Sequence, residues 1–385
     1  MTGGGTAGHI TPILSVARAL KKADPDCEVV YIGLKGGKLE DRLLDGYQNF
    51  DEVHAITAGK FRRYHGQSFL AHLIDILTIA LNIRDFFKVM AGTVSANKLL
   101  KKIKPDLVFS KGGFVAVPVG LAARWHKIPI VTHDSDAVSG LANRIVGRWA
   151  KIHATGLPAS FYLYPTETVR YVGIPVDDRV KLVTPAAQAA FKAELDLKPD
   201  ELVLLVAGGS LGAKTLNDLV LQIAVKLLAA NPSLHIINIA GSKNEAELTR
   251  KYKSLTSEDV NKRVTVLAFT PKLYKYTGAA DLILARAGAS TLAELAIQQK
   301  ALIVIPSPYL TGGHQLKNAA ELEKTAAAEV LPNNISADDL LKAINSLLND
   351  RPRREELAKR LGTLAKPDAA DELAQLLLEV TNARQ

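Results

Sequence analysis

Two glycine-rich stretches carry the residues most able to do chemistry in this chain. One is Thr2-Gly3-Gly4-Gly5-Thr6-Ala7-Gly8-His9. The other is Ala207-Gly208-Gly209-Ser210-Leu211-Gly212-Ala213, behind the apolar run 202–206. Each sits where a strand should hand over to a helix. Such a turn presents bare backbone N–H groups and the positive end of a helix dipole, an arrangement that binds phosphate. His9 follows the first turn, and an imidazole titrating near neutrality suits a general base; the competing reading is a histidine that caps the turn or holds phosphate. His133 and Asp134, at the end of an apolar run, form a second candidate pair. A third turn, Ala287-Gly288-Ala289-Ser290-Thr291, also ends at a helix start. Glu294 beyond it either reaches a ligand or closes a capping box with Thr291.

These residues need a scaffold, and the chain reads as alternating strands and helices. Short apolar runs at 29–32, 107–109, 129–132, 202–206, 235–239, 264–267, 282–284 and 302–305 have the near-continuous character of parallel strands buried on both faces. Helical patterns fall between them, at 12–22, 216–229, 291–298 and 315–324, with Thr11 and Pro12 as N-cap and first residue of the first. This alternation predicts an α/β fold with an open sheet in each half. A boundary is expected at 172–176. The segment 367–384 reads as an amphipathic helix with Asp368, Asp371 and Glu372 in its first turns. The first glycine turn begins at Thr2, so the strand expected before it is missing, and the expectation is a clipped start.

At 385 residues the chain exceeds the size at which one core keeps growing, roughly 250–300 residues, so two domains are expected. One cysteine, Cys27, rules out an internal disulfide and argues against a cysteine-based metal site. No signal peptide and no apolar run of membrane-spanning length is visible, which places the protein in the cytoplasm by elimination. The net charge of +9 is uneven: residues 60–104 hold nine Lys/Arg against two acids. Such a patch implies an anionic surface, lipid or nucleic acid.

Five motifs in order resemble those of the peptidoglycan N-acetylglucosaminyltransferase family, which converts lipid I to lipid II. They are the turn ending at His9, Lys111-Gly112-Gly113-Phe114, the turn 208–213, Arg286-Ala287-Gly288-Ala289-Ser290-Thr291 through Glu294, and His314-Gln315 with Asn318-Ala319. The likeness spans nearly the whole chain. Three departures stand out. His133-Asp134-Ser135-Asp136 replaces the family's His-Glu-x-Asn, so Asp136 stands where an Asn is usual. Leu211 stands where Gln is common, and the first strand is missing.

The resemblance implies two Rossmann-like domains facing a cleft, of the GT-B type. Residues 1–175, completed by 366–385, would bind acceptor and membrane; residues 176–365 would bind UDP-GlcNAc. It implies His9 as the catalytic base. Thr6, Gly8, Ser210, Thr270, Ala289, Ser290, Thr291, Glu294 and Gln315 would serve the donor. Gly5, Gly112, Gly113, His133, Asp134 and Asp136 would serve the acceptor, with Asp134 also open as base or orienter. No Asp-x-Asp motif is present, so no metal is implied, and no cofactor. The implied partners are UDP-GlcNAc, lipid I and the anionic inner-leaflet surface, with no nucleic acid, and cell-wall synthesis and division proteins. The implied location is peripheral, on the cytoplasmic face of the membrane. Apolar residues Phe69, Leu70, Leu73, Ile74, Leu77, Leu81, Phe86 and Phe87 among the basic ones fit an interfacial helix; an ordinary core-facing helix is the competing reading. A nicotinamide oxidoreductase is disfavoured, because the strand after the first turn ends Tyr31-Ile32-Gly33-Leu34 without the ribose-binding acid. A transferase for another glycolipid, a UDP-GlcNAc epimerase and a scaffold with decayed sites stay open.

Overall fold

The computed structural model describes residues 1–60, 76–209, 212–255, 261–309 and 313–383. The chain divides into two compact units, Met1–Asp177 with Pro367–Gln385, and Asp178–Lys366. In chain order the first unit contains α1 (Ala7–Ala23), β1 (Val30–Leu34), α2 (Lys38–Leu44), β2 (Glu52–Ile56), α3 (Ile76–Ile103), β3 (Val108–Ser110), α4 (Ala116–Trp125), β4 (Ile130–Asp134), α5 (Leu141–Val146), β5 (Ile152–Thr155) and β6 (Val169–Tyr171). The second contains α6 (Pro185–Glu194), β7 (Leu202–Ala207), α7 (Lys214–Ala230), β8 (Leu234–Ile239), α8 (Glu245–Leu255), β9 (Val264–Leu267), α9 (Leu273–Ala279), β10 (Leu282–Ala285), α10 (Ala289–Gln298), β11 (Leu302–Val304), α11 (His314–Lys324), β12 (Glu329–Val330), α12 (Ala337–Asn349) and α13 (Arg351–Gly362). Helix α14 (Ala369–Asn382) returns to the first unit.

In the first unit β1 pairs with β2, and β3, β4, β5 and β6 form a second parallel run. Thr2 joins the two. It bridges in parallel to Ile32 and to Ser110, its N–H donates to the Phe109 carbonyl at 2.9 Å, and its carbonyl accepts from Lys111 N–H at 2.9 Å. Met1 and Thr2 thus occupy the central position whose strand the sequence reading found missing. A single fully buried threonine bonded on both sides supplies the connection. Helix α1 starts at Ala7, five residues earlier than expected, and Thr11 is no cap: its hydroxyl donates to the Ala7 carbonyl. Pro12 lies inside the helix. There it has no N–H to give to the Gly8 carbonyl. Ile13, Val16, Ala17 and Leu20 recur at helical spacing and pack with Leu373, Ala374, Leu377 and Val380 of α14.

The second unit's sheet is fully parallel, in the order β12-β11-β10-β7-β8-β9. Its strands alternate between two buried faces. Leu204 and Val206 pack with α7 and α12 through Leu216, Val220, Leu340 and Ile344. Val203 and Leu205 face the opposite layer, with Leu295 of α10 and Leu322 of α11. Period-two alternation between two apolar layers is why the strands read as unbroken hydrophobic runs.

Candidate active-site residues

Each sheet begins at its centre and grows outward in both directions, and ligands collect at such switch points, beyond the carboxyl ends of the strands. In the first unit the switch point is Thr2, between β1 and β3. The first glycine turn leaves it on one strand, and Ser110-Lys111-Gly112-Gly113 leaves it on the next. The two turns touch. Gly113 has φ +77°, and a Cβ there would overlap the Gly4 carbonyl oxygen. Gly5 has φ +87°, and a Cβ there would lie 2.6 Å from Phe114. Only glycine permits this approach.

His9 sits in the first turn of α1. Its Nδ1 lies 3.1 Å from the Gly4 carbonyl and 3.0 Å from the Thr6 hydroxyl. A carbonyl only accepts, so Nδ1 carries the proton and Nε2 keeps its lone pair. Burial, reinforced by the Lys111 ammonium and opposed by Asp136, brings the imidazole down to about 4. At neutral pH His9 is an unprotonated acceptor.

The structure also reveals groups that sequence reasoning missed. Glu40, buried on α2, accepts from Leu34 N–H at 2.6 Å and from Gly5 N–H at 3.3 Å. The Gly5 amide, expected to face acceptor, is therefore engaged internally. A ribose-binding acid would stand at the end of β1, whereas this one lies in the first turn of the following helix. Its signal was an acid in the first turn of α2. The Gly112 amide is engaged too, by the Ser110 hydroxyl at 3.3 Å. That hydroxyl donates to Asn143 Oδ1 at 3.0 Å, and Asn143 Nδ2 donates to Asp134 Oδ1 and the His133 carbonyl, at 3.0 and 2.9 Å. Asp134 Oδ2 accepts from Tyr164 at 2.8 Å, and Oδ1 also accepts from Gly140 N–H at 3.2 Å. Burial pushes the Asp134 carboxyl up, against these donors and Lys111. Asp134 is thus the hub of a network that braces the second turn.

His133 is fully buried, with Nε2 donating to the Gly173 carbonyl at 2.8 Å, and burial brings it down to about 3. This corrects its reading as an alternative base: the ring is a tie between β4 and the segment leaving the sheet. Asp136 lies half-buried in the loop after β4.

In the second unit β7 and β10 are paired at the switch point, with Ala207 opposite Ala285. Gly208 and Arg286 leave from the ends of these neighbouring strands, so the two turns start side by side. Ser210 and Leu211 fall outside the described residues. Gly212 has φ +75°, and a Cβ there would overlap the Ala240 carbonyl. The N-caps of α7 and α10, Ala213 and Gly288, make no side-chain capping bond, so neither N-cap satisfies the first amides of its helix. Because α10 begins at Ala289, Thr291 is its third residue and Glu294 its sixth. The capping box is overturned, and Glu294 lies half-buried in the second helical turn. Ala289, Ser290 and Thr291 form the first turn of this helix. Thr270 follows β9, its hydroxyl accepting from Lys272 N–H at 3.1 Å.

Gln315, expected at the donor sugar, is buried, and its Oε1 accepts from Ser307 N–H at 2.9 Å. That oxygen holds the loop after β11. Asn318 Nδ2 donates to the Ala287 carbonyl at 2.9 Å, which ties α11 to the turn before α10. Arg286 is structural, donating to the Ile305 carbonyl and to Asn333.

Among the described residues no helix is long and apolar enough to cross a membrane. Helix α3 nevertheless has an inverted pattern. Its inner face is small, with Val89, Gly92, Thr93 and Ala96 buried, whereas Ile79, Ile83, Phe86, Phe87, Met90 and Val94 point outward, Phe87 being 65% exposed. The helix also has a core face, with Ala96 and Leu100 in one buried cluster and Val89 in another, so the core-facing reading holds for that side and leaves the outward apolar side unexplained. Arg62, Arg63, Phe69, Leu70, Leu73 and Ile74, and the side chain of Leu77, lie outside the described residues.

Residues 1–155 match the glycosyltransferase family 28 N-terminal domain, and residues 203–373 match the family 28 C-terminal domain. With paired α/β units of this topology, they define a glycosyltransferase. The UDP-N-acetylglucosamine--N-acetylmuramyl-(pentapeptide) pyrophosphoryl-undecaprenol N-acetylglucosamine transferase of Halothermothrix orenii is 34% identical over 382 residues, covering 98% of this chain and 97% of that one. The crystal structure of Acinetobacter baumannii MurG matches with a TM-score of 0.68 at 29% identity, covering 98% of each chain. The chain belongs to this family of N-acetylglucosamine transferases. A UDP-GlcNAc 2-epimerase from Neisseria meningitidis, bound to UDP-GlcNAc, shares the fold with a TM-score of 0.64 at 14% identity, covering 98% of this chain and 99% of that one. That likeness reaches the fold alone.

Proposed function

We propose that the protein transfers GlcNAc from UDP-GlcNAc to the C4 hydroxyl of N-acetylmuramic acid in undecaprenyl-pyrophosphoryl-MurNAc-pentapeptide. The observation that carries this is the pairing of glycine turns with helix N-termini uncapped by side chains at both switch points, at α1 in one unit and at α7 and α10 in the other. A diphosphate-linked donor and a diphosphate-linked acceptor need one such anion site each.

In this reading the second unit holds UDP-GlcNAc. The amides of Ala289, Ser290 and Thr291 take the phosphate nearest the nucleoside, Ser210 aids the diphosphate, Glu294 bonds the ribose hydroxyls, Thr270 lies by the uracil, and Gln315 Nε2 bonds the sugar. The first unit holds the acceptor at Thr6, Gly8 and the Gly112–Gly113 turn, near Asp134 and Asp136; Thr6 and Gly8 thus move to the acceptor side. The acceptor hydroxyl oxygen attacks the anomeric carbon, its proton passes to His9 Nε2, and the bond to UDP breaks. The leaving diphosphate is stabilised by the helix dipoles, and a β-linked disaccharide forms by inversion. A base at about 4 is weak, and a bound diphosphate beside His9 raises its proton affinity.

The outward apolar face of α3, flanked by Arg84, Lys88 and Lys98, docks on the anionic cytoplasmic leaflet. That surface is also where cell-wall synthesis and division proteins would meet it.

The test is transfer of radiolabelled GlcNAc to a lipid I analogue, with UDP-GalNAc as control donor. His9→Ala is expected to lower kcat by about 10²–10⁴-fold with UDP-GlcNAc affinity kept. Unchanged turnover removes His9 from catalysis, and absence of transfer by the wild type sinks the assignment. Replacing Phe86 and Phe87 with serine is expected to abolish cosedimentation with anionic vesicles; undiminished binding overturns the docking surface.

A further inference from the structure

Glu40 takes no part in the transfer scheme above, yet its carboxylate is only 4% exposed and both of its oxygens end on backbone amides. Oε2 accepts from Leu34 N–H at the end of β1, at 2.6 Å, and Oε1 accepts from Gly5 N–H in the first glycine turn, at 3.3 Å. A buried carboxylate is costly unless donors satisfy it, and here the donors belong to the two segments it spans. The carboxylate also lies over two glycines. A Cβ on Gly33 would lie 2.6 Å from Oε2, and a Cβ on Gly4 would overlap Oε1.

The Gly5 N–H belongs to the same peptide group as the Gly4 carbonyl, and in a trans peptide the two point opposite ways. The carbonyl end lies 3.1 Å from His9 Nδ1. One peptide plane thus has Glu40 on its N–H and His9 on its C=O. Glycine on both sides leaves such a plane free to turn, since neither residue has a Cβ to bar other dihedrals. Close packing of Gly4 on Glu40 and of Gly5 on Phe114 demands those glycines, so another contact has to fix the plane. A carboxylate accepts and cannot donate. It holds the N–H toward itself and rejects the flipped plane, which would turn the Gly4 carbonyl oxygen against it.

We propose that Glu40 is a positioning residue for the transfer: by holding the Gly5 N–H it keeps the Gly4 carbonyl on His9 Nδ1, which fixes the ring proton there and leaves Nε2 free to accept. This deepens, and rests on, the assignment of His9 as the base. The competing partner of Nδ1 is the Thr6 hydroxyl, 3.0 Å away. A hydroxyl both donates and accepts. While the Gly4 carbonyl is in place, Nδ1 must carry the proton. With the carbonyl turned away, the Thr6 hydroxyl donates to Nδ1 and the neutral ring carries its proton on Nε2 instead. The base then has no lone pair facing the acceptor hydroxyl, although its charge is unchanged.

The experiment is NMR on the full chain with isotope-labelled histidine at neutral pH, the His9 signals being identified by their loss in His9→Ala. Ring nitrogen shifts tell a protonated nitrogen from a bare one, so they report the tautomer with no substrate present. The wild type is expected to show Nδ1–H alone. Glu40→Gln keeps the shape but offers one acceptor to two amides, and Glu40→Ala offers none, so both are expected to populate the Nε2–H form. In the same variants kcat with the lipid I analogue is expected to fall by at least about tenfold, and by no more than the roughly 10⁴-fold that losing a general base costs. The KM for UDP-GlcNAc stays put. Tyr31→Phe is the control for general loosening of the turn, because the Tyr31 hydroxyl donates to the carbonyl of the preceding peptide, at Gly3, at 2.9 Å. Losing that buried bond should lower the melting temperature while the Nδ1–H tautomer and kcat are kept. A single Nδ1–H tautomer in Glu40→Ala overturns the proposal, as does an equal change of tautomer in Tyr31→Phe. A wild type that transfers no GlcNAc while the tautomers respond as stated sinks the functional reading and leaves the hold of Glu40 on the His9 proton standing.

Discussion

Replacing Gly113 with alanine tests the close approach of the two glycine turns more directly than any change at a charged residue. At φ +77° an L residue is strained by roughly 1–2 kcal/mol. The new Cβ would also overlap the Gly4 carbonyl, which is backbone and cannot swing aside. Overpacking of this kind adds about 1–3 kcal/mol, for a combined cost of roughly 2–5 kcal/mol. Two other glycines separate the contributions. Gly36 has φ +76° with no atom near its Cβ position, so its alanine variant carries the strain alone. Gly140 has φ −62° and open space, so its variant is expected within about 0.5 kcal/mol of wild type. In scanning calorimetry the first unit's transition should fall by about 2–4 °C per kcal/mol. Gly113→Ala should therefore melt clearly below Gly36→Ala, and Gly36→Ala below Gly140→Ala. Parting the turns by roughly 1 Å should also cost about 10²-fold in transfer rate. If Gly113→Ala melts with Gly36→Ala and keeps its rate, the contact between the turns carries no energy and the reasoning is wrong.

Leu377→Ala removes a buried side chain from the α14 face packed with α1, at an expected 2–5 kcal/mol or so. Calorimetry should show the first unit's transition falling while the second's holds, and a shift of the second transition would contradict the division of the chain. Asn143→Asp places a carboxylate against Asp134 Oδ1 in a buried network. A carboxyl whose folded pKa is raised loses stability as pH rises, so the variant should be destabilised more at pH 8 than at pH 5, by about 2–4 kcal/mol; equal melting at both values refutes this. Asn318→Ala frees the Ala287 carbonyl. It should raise the UDP-GlcNAc KM about five- to tenfold with kcat little changed, matching the loss of one hydrogen bond of about 1 kcal/mol; a kcat defect alone would place Asn318 elsewhere in the mechanism.

Much of the site is legible in the chain because the relevant physics is local. A glycine that must take positive φ, and a helix start with its amides exposed, are set within a few residues. The turns at Gly5, Gly112 and Gly212 therefore show in one dimension. The alternation of apolar runs with helical patterns likewise foretells parallel sheets, since each strand must bury both faces. The short strands β2, β5, β6 and β12 were not expected, because β2, β6 and β12 have exposed or mixed faces and β5, though buried, breaks its apolar run with His153 and Thr155, so none carries much periodicity.

Local sequence sets where backbone amides gather and which side chains stand beside them. The fold alone decided which of those amides are free to meet a ligand. Glu40 takes the Gly5 N–H across 35 residues, Ser110 reaches Asp134 only through Asn143, and Gln315 spends its carbonyl oxygen on Ser307. Thr2 acquires Ile32 and Ser110 as neighbours by strand order, not by nearness in the chain. A buried polar group has to find its partner wherever packing puts one, and desolvation makes that pairing compulsory without saying, residue by residue, where it will be found.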